Sequence, residues 1–108
     1  AAVERNPSSM EALTALAIGQ LGTGDVQAAR KTLDTQIDRS PWTSEPHLLR
    51  GLAKASGQDM EGAIADVERA AALTPKPERA LNILSELYVV SGQPDKAAEV
   101  EERLALVR

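Results

Sequence analysis

His47 is the sequence's only histidine, and so the one side chain whose ordinary pKa suits proton transfer near neutrality. Catalysis or metal binding there would need companions. No cysteine occurs anywhere in the chain and no second histidine supplies a zinc-site spacing. No serine sits in a recognisable strained turn that would present a nucleophile. His47 is therefore expected to be solvated or to line a binding surface. Gly22, Thr23 and Gly24 resemble a phosphate loop only in their glycines, because no Lys-Ser/Thr pair follows and no strand precedes. Asn6-Pro7-Ser8 would be a glycosylation acceptor but for the proline at its centre. The carboxylates of Glu99, Glu101 and Glu102 read as solvated charge on one helix. No catalytic residue, metal ligand or cofactor site is expected.

What remains is the frame that holds these side chains. The chain has 108 residues, 43% hydrophobic but only 2% aromatic, with Trp42, Tyr88 and no phenylalanine. Its core must be built from Ala, Leu, Val and Ile, and abundant alanine lets helices approach closely. A net charge of −4 argues against nucleic acid, which needs a cationic face. Lack of cysteine fits a cytoplasmic and a periplasmic protein equally. No apolar run approaches the ~20 residues that span a bilayer.

Punctuation marks recur at one constant interval. Pro7, Pro41 and Pro75 are evenly spaced, and Ala29, Ala63 and Ala97 repeat with the same spacing. Each alanine follows a turn signal: Gly24-Asp25, Gly57-Gln58-Asp59 and Gly92-Gln93-Pro94-Asp95. The segments between have helical apolar spacing, which predicts helices over 9–22 and 25–38, 44–56 and 60–73, and 77–91 and 94–107. Ser8 or Ser9, Asp25, and Thr43 or Ser44 are suitable caps. Pro77 and Pro94 suit a first helical turn, and Gly24, Gly57 and Gly92 the reversals. The resulting reading is all-α, with a helical end at 1–6 from a preceding unit (its helix over 1–5), then units 7–40, 41–74 and 75–108. Such periods mark stacked repeats. The three alanines should be buried where paired helices come closest.

On these residues the chain resembles the tetratricopeptide-repeat family. Leu81, Leu84, Ser85, Tyr88 and Ala97 follow its pattern in unit three. Leu13, Leu16, Ala17, Ala29, Leu33 and Pro41 do so in unit one, and Ala63, Val67, Ala70 and Pro75 in unit two. Gln20, Gln36, Glu101 and Leu104 depart from it. The resemblance implies an α-solenoid of three helix-turn-helix repeats in a right-handed superhelix, a scaffold for protein partners and not an enzyme. For the first helix of unit two, a strict 34-residue offset would bury His47, Arg50 and Lys54. Unpaired charges are costly to bury, so a 35-residue offset is the expectation, with one extra residue in the turn Gly57–Ala63.

In this family the first helices line a concave groove. That places Glu11, Thr14, Ile18 and Leu21 there, with Ser44, His47, Gly51 and Lys54 from unit two and Arg79, Asn82, Glu86 and Val89 from unit three. The expected partner-binding set is Thr14, Ile18, His47, Lys54, Arg79, Asn82 and Glu86, with Gly51 leaving a gap. Thr14 and Ile18 stand where chaperone adaptors of the family carry a carboxylate clamp, which disfavours that ligand. Trp42 either covers the junction of units one and two or is an exposed anchor for a partner. The expected partner is a protein or peptide, not nucleic acid or a membrane interior. An alternative makes the chain an interior spacer of a long arm in a bacterial envelope machine, such as one for exopolysaccharide export. Apolar edges at both ends, Ala2 and Val3, and Val100, Leu104 and Val107, are expected to permit weak head-to-tail association.

Overall fold

A computed structural model describes residues 9–107; the helical end expected over 1–5 lies outside them. Six helices run in order: α1 (Met10–Gly22), α2 (Val26–Arg39), α3 (Ser44–Ser56), α4 (Met60–Ala72), α5 (Glu78–Val90) and α6 (Pro94–Val107). No strand occurs among the described residues.

Local chemistry sets the helix starts. Ser9 Oγ accepts from the Ala12 amide at 3.1 Å, Asp25 Oδ1 from Ala28 at 3.3 Å, and Asp59 Oδ1 from Gly62 at 3.0 Å. Each satisfies an otherwise orphaned helix N–H, typically worth about 1 kcal/mol. Thr43 occupies the cap of α3 without such a bond, its hydroxyl lying 2.6 Å from that of Ser40. Pro94 opens α6, as its missing N–H permits.

The reversals inside the three pairs are alike and in strict register. The amides of Asp25, Asp59 and Gln93 donate to the carbonyls of Gln20, Lys54 and Tyr88, at 2.8, 2.8 and 2.7 Å. Each turn passes through one left-handed residue: Gly24 at φ 82°, Gln58 at φ 66° and Gly92 at φ 76°. These positions keep the 34-residue period throughout, so the expected 35-residue offset in unit two is wrong. The reversal residue there is Gln58, and Gly57 simply caps α3 at φ −87°.

Helices pack on their sequence neighbours, α1 on α2, α2 on α3 and onward, and units one and three make no extensive contact. The result is an open all-α solenoid 47 × 28 × 20 Å in extent. Ala29, Ala63 and Ala97 are all buried, as their spacing predicts. Gly51 belongs to this seam. A methyl group there would sit 2.7 Å from Val67 Cγ2 and 3.1 Å from the Ala63 carbonyl oxygen, so it marks close approach of α3 and α4, not a gap in a groove. The apolar core is uneven. A large cluster runs from Leu48 and Val67 through Leu84 and Tyr88 to Leu104. A small one joins Ala17, Leu33 and Leu49.

Candidate functional site

The strict register decides which side chains the first helices α1, α3 and α5 present together. The 34-residue period carries Glu11 to Glu45 and Arg79, Thr14 to Leu48 and Asn82, and Ile18 to Leu52 and Glu86. Two hollows lie along this face. The first, about 390 Å³, lies between α1 and α3 and includes Met10, Thr14, Ile18 and Pro46, with Glu11 and Glu45 at its sides. The second, about 320 Å³, lies between α3 and α5 and includes Glu45, Leu48, Lys76 and Arg79.

Of the residues expected to line a groove, Thr14 and Ile18 lie in the first hollow, and Ile18 is 49% exposed. Arg79 lies in the second, 4.0 Å from Glu45. Asn82 and Glu86 are exposed on α5, one and two helical turns further along. His47 and Lys54 are not with them. His47 is 6% exposed, and its Nε2 donates to the Pro41 carbonyl at 2.8 Å. Lys54 Nζ lies 3.0 Å from Asp66 Oδ2, against α4. Ser44 also turns to α4, donating to the Ala70 carbonyl at 2.7 Å. Trp42 is 69% exposed and covers no junction. On α3 the hollows are lined instead by Glu45, Pro46 and Leu48; the 34-residue offset from Glu11 and Thr14 finds Glu45 and Leu48, while Pro46, counterpart of the buried Ala12, follows only from packing.

The 35-residue offset fails because buried basic groups need not be unpaired. Asp66 supplies the partner. Arg50 Nε and Nη2 donate to its two oxygens at 2.8 and 2.9 Å, and Arg50 Nη1 reaches Asp34 Oδ1 at 2.9 Å. Burial alone would push the Asp66 carboxyl up, but hydrogen bonds from Arg50 and Lys54 outweigh it and hold it below its ordinary range. Hydrogen bonds to Asp66, and then to Asp34, raise the Arg50 guanidinium further against the opposing effect of burial.

Each polar departure from the repeat pattern is paired in this way. Thr32 Oγ1 donates to Gln20 Oε1 at 2.8 Å, and Ser85 Oγ donates to Glu101 Oε1 at 3.0 Å. Gln36 Nε2 donates to Thr14 Oγ1 at 2.7 Å and to the Met10 carbonyl at 3.1 Å. These contacts join the two helices of a pair. Among the described residues no group of three His, Cys, Asp or Glu could hold a metal ion. No helix among them is long and apolar enough to cross a membrane.

Comparison with known proteins agrees with this geometry. A family model described as tetratricopeptide repeat matches residues 14–78 and again 48–107. No curated protein matches. Among solved structures, a crystal structure of MamA is 23% identical with a TM-score of 0.85, covering 99% of this chain and 63% of that one. A second MamA structure is 24% identical with a TM-score of 0.82, covering 97% and 57%. The type III secretion translocator chaperone SycD of Yersinia enterocolitica is 20% identical with a TM-score of 0.84, covering 91% and 74%. At such identities the likeness is one of fold. The chain spans about three fifths of the length of these MamA structures.

Proposed function

Because the chain belongs to the tetratricopeptide-repeat family, we propose that it is a scaffold whose first-helix face docks a segment of a partner protein. One observation carries this reading: the open, apolar hollow between α1 and α3, with Ile18 half exposed in it. An isoleucine left half in water beside an apolar hollow is an unfilled contact, and fully burying such a side chain is worth about 1.5–3 kcal/mol. The Thr14–Gln36 pair lies along the hollow with its hydrogen bonds already made between α1 and α2, so a ligand there need not break it. The likeness to SycD, itself described as a chaperone, supports a binding role by analogy.

The test is capture of partners from an extract by the wild-type chain and by Ile18→Asp, with circular dichroism to check helicity. A partner lost with Ile18→Asp at unchanged helicity is the expected outcome. A spacer role in an envelope export or assembly machine predicts the opposite, since the substitution would leave every association intact. Partners retained by the variant would move the docking site elsewhere, Trp42 being the first alternative to replace.

A further inference from the structure

The hollow between α1 and α3 has a charge character as well as a shape. Resting on the docking role above, we infer that its occupant is a basic–apolar peptide segment: one aliphatic side chain in the hollow, with a lysine or arginine beside it held by Glu11 and Glu45. These two glutamates hold equivalent positions on neighbouring first helices, and both are exposed. Glu11 makes no ion pair among the described residues. Glu45 has one, to Arg79 at 4.0 Å, between side chains 46% and 64% exposed. At that distance and exposure the pair is weak, so Glu45 is available to a ligand cation.

Among the described residues no cationic side chain lines the hollow. Gln36 also lines it, with its amide oxygen buried and without a hydrogen-bond partner among the described residues, so the charges beside the hollow among those residues are the two carboxylates. The second hollow is different, because Lys76 and Arg79 line it. The contrast selects the first hollow for a basic segment. It also disfavours an acidic one, which would meet like charge there at the cost of specificity. The net charge of −4 steers in the same direction. The size suffices for an aliphatic side chain and part of its backbone, lying within the ~300–1,000 Å³ of ligand clefts generally.

The experiment is fluorescence anisotropy at low salt with three labelled ten-residue peptides: leucine flanked by lysines, leucine flanked by glutamates, and serine flanked by lysines. The wild-type chain should bind the first at least tenfold more tightly than either other, with the preference shrinking at high salt. The charge reversal Glu11→Lys with Glu45→Lys should invert the preference between the two leucine peptides. Both glutamates are exposed, and circular dichroism verifies the fold. Equal affinities, preference for the glutamate peptide, a preference the reversal leaves unchanged, or no binding of any of the three overturns the inference. If partners from an extract still depend on Ile18 in that event, the docking role stands and only the chemistry of its ligand is wrong. If they do not, both fall.

Discussion

Asp66 is buried and joins two cations of the facing helix. Its carboxylate accepts from Arg50 and Lys54 on the facing helix, and its neighbours across the α2–α3 junction include Asp34 through the same arginine. Replacing Asp66 with alanine would leave Lys54 without its carboxylate and Arg50 with Asp34 alone. The loss should be about 2 kcal/mol, less than for a fully buried pair because Arg50 and Lys54 retain some solvent. Urea unfolding measures it. The pH dependence has a definite sign. A carboxyl held below its unfolded value stabilises the fold fully above that value, about 3.9, and loses the contribution as pH falls through the lower folded value. Thermal melts between pH 7 and 2 should fall more steeply for the wild type than for Asp66→Asn below about pH 4. Parallel curves would mean that the pair does not couple to folding.

At the scale of elements, the three helix reversals share one backbone path, yet only two carry glycine at the left-handed position. Gln58 at φ 66° bears the steric cost that a side chain brings to that region. Gln58→Gly removes the clash but adds backbone freedom to the unfolded chain, and the net gain should be about 0.5–1 kcal/mol. The melting temperature should rise by a few degrees, whereas Gly57→Ala, one residue earlier at a negative φ, should not lower it. A fall on Gln58→Gly would place the reversal elsewhere and reopen the register of α3. That register also governs the first-helix face, because a one-residue shift turns Glu45 and Leu48 away and brings Ser44 and His47 in.

Across the whole molecule the two apolar clusters are unequal, and a solenoid has only neighbour contacts to share stability. Unit one is joined to the rest through the small cluster of Ala17, Leu33 and Leu49, while polar bridges from Thr32 and Gln36 tie its own two helices together. Units two and three share a continuous core from Leu48 to Leu104. Local opening should therefore begin at α1 and α2. Hydrogen exchange checks this: amides in α1 should exchange at least tenfold faster than those in α5, and a bound ligand in the first hollow should slow them selectively. Uniform protection across the six helices would mean that the chain opens only as one unit. The first hollow lies at this end, so a ligand bound in it would also favour order in unit one.

The 34-residue period, the six helices, the caps at Ser9 and Asp25 and the burial of Ala29, Ala63 and Ala97 were all legible in the sequence. They depend on spacing, on residue volume and on bonds within one turn, which are local properties. Legible too were Thr14, Ile18 and Arg79 as members of the first-helix face, because units one and three display the period without interference. Unit two was not legible in the same way. Its repeat positions hold His47, Arg50 and Lys54, and the cost of burying a charge depends on whether a partner waits on another helix. That partner is Asp66, well beyond Arg50 along the chain and in contact only once α3 lies against α4. Sequence alone therefore determined the architecture and its period; the tertiary fold decided which residues of α3 face inward. It also placed two glutamates beside one apolar hollow, because pairing and the meeting of neighbouring helices exist only after packing.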